Sequence, residues 1–252
     1  MTSNLKKIIT RGLLLAAGLG LLVLVAGGIF LATPAALLPE ASAALQSTSA
    51  VQFSDANGWL TFTPADAAPA TGVIFYPGGR VPAAAYAPAA AALAAQGYLA
   101  VVVPMPFNLA FFGLDRADAV LAAHPEIEHW AIGGHSLGGA MAAEYAARRP
   151  GRVQGLFFWA SYSASDLSQQ ALRVVSVYGS LENGRPGFIA DEARARVPAT
   201  TAYIEIAGGN HEQFGYYTGQ PNDPEATLPR ADQQAQAVAA TLSLLDVLDA
   251  SP

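Results

Sequence analysis

The run Gly133-Gly134-His135-Ser136-Leu137-Gly138-Gly139 sets a serine among glycines where an apolar stretch gives way to an alanine-rich one. Its centre, Gly134-x-Ser136-x-Gly138, has the spacing of a nucleophile elbow between a strand and a helix. On such a turn the serine backbone is strained and its hydroxyl is lifted above the sheet. The flanking glycines are needed because a Cβ there collides with the neighbouring strand and helix. The helix that follows brings partial positive charge and a free Leu137 amide to a developing oxyanion. The chemistry this spacing suits is attack of an activated hydroxyl on a carbonyl carbon.

A serine hydroxyl needs a base. His211, in Ala207-Gly208-Gly209-Asn210-His211, directly follows the apolar run Ala202–Ile206. That placement fits the chain order nucleophile, acid, histidine. Of the other three histidines, His135 is locked inside the elbow, and His124 and His129 flank Pro125 and a strand start as packing or surface residues. Glu182, in Gly179-Ser180-Leu181-Glu182 after the run Val174–Tyr178, is the leading candidate for the acid that orients the imidazole. Asp166, after the preceding run, is its rival, and Glu212 reads as a surface charge.

These residues require strands that end together and helices that begin there. Short apolar runs alternate with helical segments from Val51 onward, the pattern of an α/β domain with a largely parallel sheet covered on both faces. Strands are predicted at Val73–Tyr76, Leu99–Val103, His129–Gly133, Gly155–Ala160, Val174–Tyr178 and Ala202–Ile206. Helices are predicted at Ala83–Gln96, Arg116–Ala123, Ser136–Arg149 and Ala231–Leu248. Val51–Phe62, with Asn57-Gly58 at its turn, reads as a hairpin on the first edge of the sheet.

Composition narrows the function further. The 252 residues contain no cysteine and four histidines, none paired at metal-ligand spacing, so thiolate zinc, iron–sulfur and cysteine-nucleophile chemistry are excluded and no metal site is expected. Three of the 13 basic residues, Lys6, Lys7 and Arg11, lie at the start, leaving 10 against 19 acidic ones. Such a domain repels phosphate backbones, so no nucleic-acid partner is expected; a small neutral or cationic substrate is easier to accept.

Between those basic residues and Glu40 lies Gly12–Ala32, an uncharged stretch of 21 residues. As a helix it is about 30 Å long, a bilayer core's thickness. With the basic residues on its N-terminal side, the expected arrangement is a single-pass anchor in the cell membrane with the rest of the chain outside the cytoplasm. Ala41-Ser42-Ala43 offers a cleavage site, and cutting after Ala43 makes the protein secreted. The expected organisation is thus 1–33 stub and membrane helix, 34–50 tether, and 51–252 a single domain.

The Ser136 elbow, Tyr76-Pro77-Gly78-Gly79, Glu182 and His211 together resemble the α/β-hydrolase superfamily. More narrowly, Phe75-Tyr76-Pro77-Gly78-Gly79-Arg80, Met105-Pro106-Phe107-Asn108-Leu109-Ala110 and Gly208-Gly209-Asn210-His211-Glu212-Gln213-Phe214-Gly215 resemble a bacterial, dienelactone-hydrolase-like branch. The resemblance spans residues 50–250. It implies an eight-stranded, mostly parallel sheet, no cofactor, and hydrolysis of ester-like bonds of small molecules through an acyl-enzyme. It also implies that Gly79 supplies the second oxyanion amide, with Arg80 next in line. Two residues depart from the pattern: Glu182 stands where Asp is commoner, and Ser136 where true dienelactone hydrolases carry cysteine.

For substrate binding, Arg80 is a candidate partner for a substrate carboxylate, or else for a neighbouring acid. Phe107, with Phe111 and Phe112, is a candidate pocket lining, or else closes the core over a short loop. Two alternatives to hydrolysis share this sequence: acyl transfer on the same triad, and a membrane-tethered binding protein on an inactive fold.

Overall fold

The computed structural model describes residues 2–182 and 190–250, with the side chains of 2–10, 24, 26 and 29–32 left aside. The chain divides into two units at Pro34. The first is helix α1, Thr2–Ala32, which encloses the uncharged stretch. Lys6, Lys7 and the end of that stretch lie outside the described side chains. Among the described residues no helix is long and apolar enough to cross a membrane.

The second unit begins at Ala35, earlier than the sequence suggests. Residues 34–50 are not a free tether. Strand β1, Ala36–Leu37, pairs antiparallel with Tyr217–Thr218, and Ala41 of helix α2, Pro39–Ala43, is fully buried. The Ala35 N–H also donates to the Arg80 carbonyl at 2.8 Å.

Eight strands then form one sheet: β2 Val51–Ser54, β3 Leu60–Pro64, β4 Thr71–Tyr76, β5 Leu99–Val102, β6 His129–His135, β7 Gly155–Trp159, β8 Arg173–Gly179 and β9 Ala202–Ile206. Their spatial order is β2-β3-β5-β4-β6-β7-β8-β9. β2 and β3 make the expected antiparallel hairpin at one edge, and β3 meets β5 antiparallel. The other pairs, from β5 through β9, are parallel. The short strand after β9, Tyr217–Thr218, is β10 and belongs to the separate pair with β1.

Side chains alternate between the faces with the period of two that a strand imposes. Phe75, Phe157 and Trp159 pack on one side, with helix α3, Ala87–Ala94, and the closing helix α7, Arg230–Asp249. Ile74, Tyr76, Leu156 and Phe158 pack on the other, with α4, Arg116–Ala123, and α5, Leu137–Arg148. Between α5 and α7, among the described residues, one helical turn, α6, covers Asp191–Arg194. Burial on both faces explains why the central strands read as unbroken apolar runs.

The predicted helix Ala83–Gln96 is divided. Ala83–Tyr86 is a 3-10 turn, and the α-helix starts only at Ala87. Pro88 lacks a donor and its ring clashes with the preceding turn, so it fits only at a helix start.

Candidate active site

β6 ends at His135, and Ser136 follows with φ 51° and ψ −123°, a strained conformation for a residue with a side chain. Its surroundings hold it there. A Cβ on Gly134 or on Gly138 would run into the Tyr76 carbonyl oxygen, so strand β4 and helix α5 approach the elbow as closely as glycine permits. The Ser136 N–H donates to the Trp159 carbonyl at 2.9 Å, and its own carbonyl accepts from the Ser161 hydroxyl at 2.7 Å. The turn is thereby tied to the adjoining strand exit, where Ala160 is also left-handed at φ 49°.

Across the cleft, the loops after β8 and β9 bring Glu182 and His211 together. His211 Nδ1 lies 3.0 Å from Glu182 Oε2, and the Glu182 side chain is wholly inaccessible to solvent. The other carboxylate oxygen accepts the Gly179 N–H at 2.7 Å, so the acid is fixed by its own turn. Backbone bonds join the two loops, from Leu181 N–H to the Gly209 carbonyl and from Ser180 N–H to the Ile206 carbonyl. A Cβ on Gly179 would strike the Gly209 backbone, which is why a glycine ends β8. Asp166 is exposed and accepts the Ser168 N–H.

A polar frame that the sequence does not announce holds the histidine. Asp223 accepts the His211 N–H at 3.2 Å and the Glu212 N–H at 2.7 Å, capping the 3-10 turn Glu212–Phe214. Asn210 and Gln233 exchange two bonds, amide to Gln233 Oε1 and Gln233 Nε2 to the Asn210 carbonyl, which pins the loop to α7. Glu212, expected at the surface, is a partly buried bridge: it accepts from the Gly219 and Gln220 amides and pairs with Arg230 at 3.1 Å. Arg230 in turn donates to the Glu212 and Gly215 carbonyls. These bonds join residues far apart in sequence, and no local motif marks them.

Ser136, Leu137 and His211 line one cleft of about 350 Å³, completed by Ala140, Ala160, Ser161, Tyr162 and Ala164. Three of its lining residues are alanines, and it contains no Asp, Glu, Lys or Arg. Ala160, Ser161, Tyr162 and Ala164, at the strand exit, are contributors that sequence reasoning missed. Gly79 sits beside Leu137: a Cβ built on it would lie 3.4 Å from Leu137 Cδ2.

Arg80 and Phe107 are not among the cleft-lining residues. Arg80 is left-handed at φ 62°, and its N–H donates to the Asn108 carbonyl at 2.7 Å. Phe107 and Asn108 are left-handed as well, and this double reversal leaves the Phe107 ring 69% exposed, edge-on to Phe112 at 5.7 Å. A larger groove of about 710 Å³ lies beside Phe111 and Phe112 and is lined by Arg116, Glu144 and Arg148; it contains none of the three candidate catalytic residues. Among the described residues, no group of three or more His, Asp or Glu could hold a metal ion.

His135 is buried beside this site, with its ring centroid 4.5 Å from that of His211. Burial, then the neighbouring imidazole, push its pKa well below the usual histidine value, and the His211 backbone opposes them weakly.

The sequence matches the alpha/beta hydrolase family over residues 72–235. Among solved structures, a CIB-like hydrolase from Thermoplasma acidophilum is similar, at 14% identity and TM-score 0.56, over 77% of this chain and 98% of that one. A thermophilic esterase from the planctomycete Thermogutta terrifontis is similar at 15% identity and TM-score 0.53, over 80% and 93%. No curated protein matches the sequence. The chain belongs to the α/β hydrolase family.

Proposed function

We propose that this member of the α/β hydrolase family is a serine hydrolase that cleaves ester-like bonds of small molecules through an acyl-enzyme. The observation that carries the reading is the 3.0 Å pair of His211 Nδ1 with the inaccessible Glu182 carboxylate, facing a cleft that His211 shares with the strained Ser136. Ser136 Oγ bonds to the carbonyl carbon as its proton passes to His211 Nε2. Glu182 accepts the Nδ1–H and stabilises the imidazolium. The Leu137 and Gly79 amides receive the negative oxygen. The alkoxide then leaves with the proton from His211, and water, deprotonated by the same nitrogen, releases the acid and restores Ser136. Small apolar walls at Ala140, Ala160 and Ala164 suit an uncharged acyl group. By motif the branch is the dienelactone-hydrolase-like one, with a serine in place of cysteine, which argues against that branch's own substrate.

The test is a fluorophosphonate probe applied to the full chain, with the label located by peptide mass spectrometry. Labelling confined to Ser136 and lost in His211→Ala is expected. A folded sample that takes no label sinks the reading.

We further propose that Gly12–Ala32 anchors the chain in the cell membrane with the domain outside the cytoplasm. Its 21 uncharged residues, with Lys6, Lys7 and Arg11 on the N-terminal side, support this. Retention in the membrane fraction through an alkaline carbonate wash is expected; release into the supernatant overturns it.

A further inference from the structure

Behind the nucleophile lies a buried polar chain for which hydrolysis by Ser136, His211 and Glu182 has no stated use. Tyr86, 1% exposed, ends the 3-10 turn that follows the glycine loop. Its hydroxyl oxygen accepts the Gly78 N–H at 3.0 Å and lies 2.9 Å from His135 Nδ1. A backbone N–H can only donate, so the hydroxyl proton is left for His135. Donating it to Nδ1 gives the hydroxyl proton its acceptor and puts the imidazole proton on Nε2. Nε2 has no partner of good hydrogen-bond geometry. The network therefore runs Gly78 N–H to Tyr86 O, then Tyr86 O–H to His135 Nδ1. Phe214 stacks on the His135 ring at 5.8 Å and 24°.

This chain ends on the segment that most needs fixing. Gly78 and Gly79 have no side chains to anchor them, and glycine has the widest choice of backbone angles. Gly79 carries an amide assigned to the oxyanion, and such a donor works only when it is already aimed at the charge that forms. Gly78 is the residue immediately before it. A Cβ on Gly78 would come within 2.7 Å of His135 Nδ1 and 2.9 Å of the Tyr86 oxygen, so loop, tyrosine and histidine are in tight contact. The loop is also held by the turn bond from the Val81 N–H to the Gly78 carbonyl at 3.1 Å and, just past Gly79, by the bond from the Arg80 N–H to the Asn108 carbonyl at 2.7 Å. His135 belongs to the elbow itself, one residue before Ser136. The network thus joins the carrier of the nucleophile to the carrier of an oxyanion donor.

We propose that Tyr86, braced by His135, is a positioning residue that fixes the Pro77-Gly78-Gly79 turn so that the Gly79 amide is aimed at the oxyanion formed on the carbonyl attacked by Ser136. The proposal rests on the serine-hydrolase reading. Tyr86 acts through Gly78 and touches no reacting atom. Its effect therefore falls on the transition state and leaves ground-state binding alone.

The experiment compares the full wild-type chain with Tyr86→Phe, using a neutral p-nitrophenyl ester and an aryl boronic acid that forms a tetrahedral adduct on the serine. The expected result is a fall in kcat of about 10- to 100-fold with KM within about twofold, and boronate affinity weakened by the same factor as kcat. The pH–rate profile keeps its shape. Unchanged kcat, or a fall in kcat with boronate affinity intact, overturns the proposal. A wild-type chain that neither hydrolyses esters nor takes the fluorophosphonate label overturns the parent reading as well; an active wild type with an unimpaired variant overturns this one alone. If Tyr86→Phe does not fold, imidazole nitrogen NMR of the wild type decides. At pH 7 the His135 Nδ1 resonance is that of an unprotonated, hydrogen-bonded acceptor if the network is as described; a protonated Nδ1 overturns it.

Discussion

The serine side and the histidine side of the cleft are held by different means. Around Ser136 two hydrogen bonds, to the Trp159 carbonyl and from the Ser161 hydroxyl, are joined by a constraint of exclusion: Gly134 and Gly138 leave no room for a Cβ beside the Tyr76 carbonyl. Around His211 the chain is fixed by what is added. Asp223, Glu212, Arg230, Asn210 and Gln233 form a frame of side chains bonded to the backbone. A frame of exclusion tolerates no substitution, whereas a frame of bonds weakens in steps as its members are removed.

The contrast is broken most directly at the elbow. Gly138→Ala puts a methyl group onto a backbone oxygen that no rotamer change can relieve. We expect about 3 kcal/mol or more of destabilisation and loss of probe labelling, read by denaturant unfolding and mass spectrometry. Wild-type stability in this variant would show that the elbow is not held by exclusion.

Next in size is Glu182→Gln, which keeps the shape of the pair but presents the wrong group to Nδ1–H. A fall in kcat approaching 10,000-fold, with the fold intact by circular dichroism, is expected. Little change would move the acid elsewhere.

Asp223→Ala removes the acceptor for the His211 and Glu212 amides. A loss of up to about 100-fold in kcat is expected if the imidazole is displaced by as much as 1 Å, with Asp223→Asn milder because one carbonyl oxygen remains. Equal activity in both variants would mean that the frame is redundant. Glu212→Gln keeps a carbonyl for the Gly219 and Gln220 amides and loses the charge pairing with Arg230. It is expected to cost about 1 kcal/mol of stability and leave kcat nearly unchanged.

A separate effect is on pH dependence. His135 has a depressed pKa in the folded chain, so below about pH 6.5 the unfolded chain binds a proton that the folded one refuses. Stability contributed by neutral His135 is therefore present at pH 7 and is lost as pH falls through that value, by at most about 1.4 kcal/mol per unit. Urea unfolding of His135→Gln at pH 7 and pH 5 is expected to show a shallower slope than wild type. An unchanged slope would mean that His135 is protonated in the folded chain.

What was legible in the sequence follows the same division. The elbow and the strand ends could be found because glycine spacing and unbroken apolar runs are local signals, and Arg116–Ala123 and Ala202–Ile206 match the structure at both ends. Glu182 and His211 could be named because each directly follows a strand of a parallel sheet, where the exits converge. Asp223 and Arg230 could not, since a carboxylate that caps a turn 11 residues away has no signature of its own. The segment from Ala35 to Ala50 was misread for a related reason. Its composition is that of a linker, and its partner strand lies at Tyr217–Thr218, beyond any local window. Phe107 shows the converse: an aromatic cluster near strand ends reads equally as a pocket lining or a cover over the core, and only the folded chain shows its side chain exposed and absent from the residues that line the cleft.

The clasp between Ala36–Leu37 and Tyr217–Thr218 ties the segment ahead of Ala43 into the domain. The small-residue site Ala41-Ser42-Ala43 lies in a helical turn whose Ala41 is fully buried, and just before it the Leu38 N–H is bonded to the Tyr216 carbonyl at 3.0 Å. A chain cut after Ala43 would lose β1 with everything before it, and the Tyr217–Thr218 strand after His211 would be left without its partner.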